Sequence, residues 1–360
     1  MENAPGNQLA FFGCPLDCDE KYDAIQDRLH GLWTTGKNDD PLDEVLNLLR
    51  PEIQKEHWKE FGSISVPSWL RPKPRPEDYP QVTTESFISY IDSDGCRGKA
   101  DEVAEFVTNT VLPARPCLIG IDHSLTGGVV KALAKQHKAE NLSLIILDSH
   151  TDAIPMSALS KAIAYDMDTN PDSVHDPEDP FLYNRPDSYN ASTFLHHLIV
   201  EEIINPKNVY LLGISDYPDK KAFKIKDPRI KAYLKAYTDL KRRGVSLLTK
   251  KDCLMSPQKV KSLMKSIKTP LAYVSVDMDI GALDAVEGVR FRNWKGLKEK
   301  KIYKLIDAVS SIFKTKVQLA GMDITEFDAR RAGEIFPSGQ DQTYRIAANI
   351  IKRLGFGLKN

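Results

Sequence analysis

Short, almost wholly apolar runs separated by amphipathic stretches constrain this chain more than any other feature. The runs are Pro116–Ile121, Leu142–Leu147, Val209–Ile214, Val245–Leu248, Leu271–Val276 and Val317–Met322, each followed by polar residues or glycine. A strand buried on both faces of a parallel sheet has this composition, whereas a half-exposed strand alternates apolar with polar residues. Between the runs lie Gly128–His137, Ser192–Ile204, Lys301–Phe313 and Gln342–Leu354, which read as amphipathic helices. The rhythm is that of an α/β fold on a mainly parallel sheet.

The first 100 residues are less regular, although Leu9–Cys14 is expected to form a first strand ending at Pro15. Val66–Pro76 is too rich in proline for an ordinary helix or a central strand, so it is expected to be a loop or a surface arm. Asp166–Pro186, proline-rich and acidic, follows the most chemically suggestive segment directly, and long loops at such positions often cover a site. The basic stretch Lys220–Arg243 reads as a solvated helix face. We find no internal repeat and read residues 1–360 as a single domain with a divergent N-terminal part.

Charge narrows the choice of partner. With 49 basic and 50 acidic residues the chain lacks the basic excess that a nucleic-acid or anionic-membrane binder needs, so a small-molecule substrate is expected. Five cysteines, an odd number, do not make a disulfide framework and point to a reducing compartment. The N-terminal stretch has no basic region leading into an apolar one, and no apolar run approaches the roughly 20 residues that span a bilayer. A soluble cytoplasmic protein is expected.

Ligands of an open parallel sheet bind outside the carboxyl ends of its strands. Three apolar runs end there in ionisable residues: Asp122-His123-Ser124, Asp148-Ser149-His150-Thr151-Asp152 and Asp277-Met278-Asp279. In extended backbone, residues two apart point to the same side, so Asp148, His150 and Asp152 can converge, as can Asp277 and Asp279. Four carboxylates and two imidazoles in one cleft repel one another unless cations intervene. Six such ligands, without a thiolate, exceed the needs of one ion and suit two ions bridged by shared carboxylates, with manganese favoured over zinc.

The constellation resembles the ureohydrolase family of arginases, agmatinases and formiminoglutamases. Gly120-Ile121-Asp122-His123-Ser124 is similar to the family's Gly-Gly-Asp-His-Ser, Asp148-Ser149-His150-Thr151-Asp152 to its Asp-Ala-His-x-Asp, and Ser275-Val276-Asp277-Met278-Asp279 to its Ser-x-Asp-x-Asp. Gly321-Met322-Asp323-Ile324-Thr325-Glu326 resembles the strand whose glutamate holds the substrate's guanidinium group. The likeness spans about residues 115–355. It implies a three-layer α/β/α fold, as in arginases and deacetylases, carrying two Mn2+ ions. His123, Asp148, Asp152 and Asp277 would hold one ion, and Asp148, His150, Asp277 and Asp279 the other, so that Asp148 and Asp277 bridge. The implied reaction is attack of a metal-bridging hydroxide on a linear guanidino or amidino carbon, releasing urea or an amide and an amine. Asp279 would assist proton transfer and Glu326 would pair with the substrate cation. Relatives of this kind are commonly trimers or hexamers, so a homo-oligomer is expected.

Departures from the family pattern bear on specificity. Where relatives carry a proton-shuttling histidine, this chain reads Ser188-Tyr189-Asn190-Ala191-Ser192-Thr193-Phe194, with Asn190 able to orient a substrate but not to act as an acid. His175 is a candidate substitute, and the pair His196-His197 resembles that of deacetylases on the same architecture. The loop after Asp279 is reshaped and carries Arg290 and Arg292, which are expected either to be solvated or to meet an anionic substrate group and so disfavour agmatine. A zinc-dependent deacetylase or amide hydrolase, and a metal-binding protein without turnover, are the alternative readings.

Overall fold

The computed structural model describes residue 6 and residues 8–358 apart from 174, 293 and 294. Residues 1–5 and 7, part of the stretch read for a leader, lie outside the described residues. Eight strands, β1 (Leu9–Cys14), β2 (Trp58–Ser63), β3 (Arg115–Gly120), β4 (Leu142–Leu147), β5 (Val209–Ile214), β6 (Ser246–Thr249), β7 (Leu271–Asp277) and β8 (Gln318–Thr325), form one sheet. Their order is β2-β1-β3-β8-β7-β4-β5-β6 and every neighbouring pair is parallel. The expected strands are all present within about three residues of their sequence bounds.

Side chains alternate between two cores as the pleat requires. Leu9 and Phe11 of β1, Cys117 and Ile119 of β3, and Val274 and Val276 of β7 enter one core. Ala10 and Phe12, Leu118 and Tyr273 enter the other. Helices cover both faces. Those over Pro41–Leu49, Glu299–Ser310 and Thr343–Gly355 contribute Leu46, Ile306 and Ile350 to the first core. Those over Gly95–Phe106, Leu125–His137 and Pro228–Arg243 contribute Val103, Val129 and Tyr237 to the second. This is the three-layer α/β/α arrangement. Among the described residues no helix is long and apolar enough to cross a membrane.

The first 100 residues are more regular than their sequence suggests. They supply two strands of the sheet and helices over Tyr22–His30, Pro41–Leu49 and Thr84–Asp92, with a further helix beginning at Gly95. The proline-dense stretch holds only short 3-10 turns at Ser68–Leu70 and Pro76–Gln81. Asp166–Thr169, expected in a loop, is instead the last turn of the helix Met156–Thr169, whose C-cap Asn170 amide bonds Asp166 O. The helix expected over Ser192–Ile204 is shorter, Phe194–Val200, and Glu202 beyond it has a left-handed φ of 57°.

Two helices on the second face meet where glycine is required. A Cβ on Gly128 would lie 2.1 Å from the carbonyl oxygen of Ala100 in the helix Gly95–Phe106. Alanine favours a helix interior over glycine by about 1 kcal/mol. Backbone cannot yield to such a contact without parting the helices, which costs about 1–3 kcal/mol. Gly128→Ala is therefore expected to lower the urea unfolding midpoint, and a midpoint at or above that of the wild type would contradict this packing.

Candidate metal centre

Because all eight strands run the same way, their carboxyl ends share one edge. Asp148 follows the last residue of β4, Asp277 is the last residue of β7, Glu326 follows β8, and His123 lies three residues beyond β3. These four strands are neighbours in the sheet, in the order β3-β8-β7-β4.

Their side chains form two groups whose ligand atoms lie within 4.8 Å of one another: His123, Asp148, Asp152 and Asp277, and Asp148, His150 and Asp279. All six residues expected as ligands are thereby gathered. Asp148 belongs to both groups, whereas Asp277 joins only the first. His123 Nδ1 lies 2.8 Å from Asp152 Oδ2 and 3.3 Å from Oδ2 of both Asp148 and Asp277. His150 Nδ1 lies 2.7 Å from Asp279 Oδ2.

The spacing of two within each motif has a local effect as well. Asp148 Oδ1 accepts from the amide of His150 at 2.6 Å, and Asp277 Oδ1 accepts from that of Asp279 at 2.7 Å, each carboxylate capping the amide two residues on. Asp279 Oδ1 accepts from Ser149 N at 3.2 Å. The outer oxygens are thus held by backbone, while Asp148 Oδ2 and Asp279 Oδ2 are buried and face only the imidazoles, at 3.3 Å from His123 Nδ1 and 2.7 Å from His150 Nδ1. Such atoms are costly to bury, and a divalent cation satisfies them. Carboxylate oxygens with imidazole nitrogens and no thiolate suit such an ion, so the residues fit a metal.

The charges point the same way. Burial, with Asp152 and Asp279 as negative neighbours, pushes the Asp148 carboxyl well above the usual carboxylate range. Burial does the same to Asp277, with Asp279 and Asp148 adding to it. Burial opposes charge on His123, but hydrogen bonds to Asp148, Asp152 and Asp277 outweigh it and hold the ring well above its ordinary value. Burial acts to raise Asp279 too, but His150 keeps that carboxyl below the usual range. Protons or a cation must balance this centre.

Several polar residues behind the ligands had no assigned role in the sequence reading. His123 Nε2 lies 2.9 Å from Ser275 Oγ, which lies 2.6 Å from Asp323 Oδ1. Asp323 Oδ2 also accepts from Tyr273 OH at 2.6 Å and from Thr126 Oγ1 at 2.9 Å. The available signal was polarity inside apolar strands: Ser275 and Asp323 are register partners on β7 and β8. Asp216, beyond β5, anchors the Asp148–Asp152 loop by accepting from Thr151 N at 3.0 Å and Thr151 Oγ1 at 2.6 Å.

Glu326 has a left-handed φ of 63° and Asp152 one of 47°, a conformation that costs a non-glycine residue about 1–3 kcal/mol and that collects at functional sites. Glu326 is held by its amide bond to Ile121 O and by its carbonyl, which accepts from Arg290 N. Its Oε1 accepts from the backbone amide of His123 at 3.0 Å, and its Oε2 is buried without a partner.

The remaining candidates lie elsewhere or have other partners. Arg290, expected to be solvated or to meet a substrate anion, instead has a side chain only 7% exposed and lies 2.9 Å from Asp17, 3.4 Å from Asp19 and 3.9 Å from Asp122. Its charge is balanced before any substrate arrives. Arg292 is the more exposed of the two and lies 3.9 Å from Glu287. Asn190 directs its amide to Met156 Sδ and Ser188 O and accepts from Ser192 N, so its side chain is engaged within its own turn. His175 sits 4.0 Å from Asp166 on the outer loop. His197 lies 3.0 Å from Arg97, with His196 packed edge-on against its ring, and neither belongs to the metal-holding groups. The 170–186 loop does approach the site. Lys21, 3.5 Å from Asp179, lies over the rings of both Phe181 and Phe291, and Phe291 meets His150 edge-on.

A parallel sheet of this topology with carboxylates and histidines at adjacent carboxyl ends defines an α/β/α protein with a candidate metal centre. The chain belongs to the arginase family, whose model matches residues 77–356. No curated protein sequence matches it. Among solved structures it is similar to the arginase of Bacillus subtilis, at 13% identity over 98% of this chain and 99% of that one with a TM-score of 0.58. It is similar to the formimidoylglutamase of Bacillus subtilis, at 17% identity over 99% and 88% with a TM-score of 0.57. A formiminoglutamase variant of Trypanosoma cruzi bound to Mn2+ shares 12% identity over 98% and 94% with a TM-score of 0.55.

The two groups make separable predictions. Because only Asp148 belongs to both, Asp148→Ala is expected to lose metal from each, Asp152→Ala from the first alone and His150→Ala from the second alone. Elemental analysis of manganese-reconstituted protein checks this, and equal losses in all three variants would contradict it.

Proposed function

We propose that the chain is a binuclear-manganese hydrolase that cleaves a C–N bond of a guanidino or amidino compound, releasing urea or an amide together with an amine. The observation that carries this reading is the convergence of the six ligands beside Glu326, which is hydrogen-bonded to the backbone of His123 itself. His123, Asp148, Asp152 and Asp277 would hold one ion, and Asp148, His150 and Asp279 the other. Two divalent ions there lower the pKa of water enough to supply hydroxide near neutral pH. The donor set favours manganese, and the Trypanosoma formiminoglutamase variant carries Mn2+.

Glu326 supplies the complement to the substrate. Burial pushes its carboxyl well above the usual range against the pull of Arg290, so its ionised form gains from a cationic partner. A guanidinium or amidinium ion supplies that charge and fills the empty acceptor Oε2 with an N–H donor. Asp279, kept ionised by His150, accepts a hydrogen bond or a proton from the reacting nitrogen. A cavity of 240 Å³ lined by Asp17, Lys21, Arg290, Phe291 and Phe327 adjoins this end of the site. With Arg290 already balanced, contact with an anionic tail falls to Arg292.

His197 is engaged by Arg97 at 3.0 Å and Glu201 at 3.5 Å and packs on the rings of Tyr189 and His196, which speaks against the paired-histidine acid and base of a deacetylase reading. Glu326→Gln is expected to leave metal content intact and to lower kcat/KM by roughly 2–4 kcal/mol of transition-state stabilisation. A urea-release assay of the manganese enzyme across arginine, agmatine and guanidino acids identifies the substrate. Agmatine turned over well above every guanidino acid would remove the role given to Arg292, and no product from any guanidino or amidino compound would end the proposal.

A further inference from the structure

We propose that Asp323 is a positioning residue for the first metal-holding group, acting through Ser275 to decide which nitrogen of His123 carries its proton. The inference rests on the metal-centre reading above and extends it to residues that touch neither ion nor substrate.

Asp323 is wholly buried on β8, and three hydroxyl groups surround its carboxylate: Ser275 and Tyr273 at 2.6 Å and Thr126 at 2.9 Å. An ionised carboxylate only accepts, so each hydroxyl turns its hydrogen toward Asp323. Ser275 has one hydrogen to give. Once that hydrogen points at Asp323, the serine oxygen presents a lone pair to His123 Nε2, 2.9 Å away, and Nε2 must be the donor. An imidazole that ligates a metal is neutral and has a single N–H, so in that state Nδ1 is left bare. Nδ1 is the atom that lies 2.8–3.3 Å from the oxygens of Asp152, Asp148 and Asp277. A bare nitrogen facing three carboxylates is repulsive when alone and is a ligand set when a cation lies among them.

This relay also accounts for charge at a place where packing gives no reason for it. The neighbouring side chains Leu118, Ala320 and Leu125 on this face are apolar and fully or almost fully buried, and a well-packed apolar residue at 323 would serve stability as well as a buried carboxylate does. Tyr273 and Thr126 hold Asp323 from its other oxygen, which leaves Ser275 as the one hydroxyl linking it to the histidine. His150 in the second group is placed differently, with a side chain 26% exposed at the open side of the site. Loss of the relay therefore affects the first group alone.

Ser275→Ala and Asp323→Ala test this in the full-length protein. In the alanine variant at 275, Nε2 loses its acceptor. In the variant at 323, Ser275 is free to donate to Nε2. In both, the ring proton shifts to Nδ1, where carboxylates accept it. Manganese titration with chelator competition, followed by electron paramagnetic resonance, is expected to show first-group affinity lowered by about 10–100-fold with the second group unchanged. Nitrogen-15 NMR of the metal-free proteins, recorded at a pH high enough for the His123 ring to be neutral, is expected to show its N–H at Nε2 in the wild type and at Nδ1 in the variants. The double variant should bind no more weakly than either single one, because both act through one contact. Tyr273→Phe, which leaves Asp323 two donors, should keep first-group affinity within about twofold of the wild type.

Unchanged first-group affinity in Ser275→Ala, an unmoved proton, additive losses, or an equal loss in Tyr273→Phe would each overturn the proposal. If Asp323→Ala does not fold, Ser275→Ala alone still decides it through affinity and tautomer. Wild-type protein that binds manganese yet hydrolyses no guanidino or amidino compound would end the proposed activity and leave the relay standing.

Discussion

Asp148, Asp152, Asp277, Asp279 and Glu326 are each less than a tenth exposed and face one another across three strand ends. Two like charges 4 Å apart repel by about 4 kcal/mol even at an effective dielectric constant of 20, so this concentration of carboxylates dictates what surrounds it. Metal ions answer it on the ligand side, in the proposed reading. On the far side of Glu326 the answer is built into the chain: Arg290 lies among Asp17, Asp19 and Asp122, and Arg28 lies 2.6 Å from Asp17. Arg185 then joins the adjacent Glu20 at 2.6 Å to Asp92 at 2.9 Å. These ion pairs bind the least regular part of the chain, residues 17–28, to the loop after β7 and to the segment before Asn190. The first 100 residues are thus structural walls of the site and supply none of its six metal-binding candidates.

How far a strand can be read from sequence follows from where it lies in the sheet. β4, β5 and β7 have neighbours on both sides and apolar cores above and below, and uninterrupted apolar composition is the direct result. β2, Trp58-Lys59-Glu60-Phe61-Gly62-Ser63, is the edge strand, and only Trp58 in it is buried. Its charged residues face water and guard the open edge, so its sequence carries no strand signal. β6, on the other edge, was legible because Leu247 and Leu248 remain apolar though partly exposed, next to the buried Val245. The three helices that end before Gly95 escaped notice because each is only nine residues long, and in Tyr22–His30 Ile25 is the one buried apolar residue.

The metal-holding residues were legible for a geometric reason. Each motif is confined to five residues or fewer at a strand end, where a spacing of two brings side chains together without help from tertiary structure. Arg290 was not legible in the same way, because its partners Asp17, Asp19 and Asp122 are distant in sequence and adjacent only once β1, β3 and β7 share a sheet edge. Asn190 lay at a position where a family pattern implied substrate contact, but its side chain closes a local turn with Ser188 and Ser192. Asp323 and Ser275 stood inside quoted motifs without a role, since only strand register sets one against the other.

The strand that completes the centre is also the last long strand of the chain. β8 begins at Gln318 and inserts between β3 and β7, so the sheet consists of two unjoined parts until nine-tenths of the polypeptide has been made. During synthesis on the ribosome the facing edges of β3 and β7 must wait, with unpaired backbone and apolar side chains exposed to whatever else can add a strand. A chain stopped short of residue 318 therefore lacks more than Glu326: it leaves His123 and Asp277 on separate halves of an open sheet. The two halves of the candidate metal centre are thus brought together only when translation has reached the end of the fold.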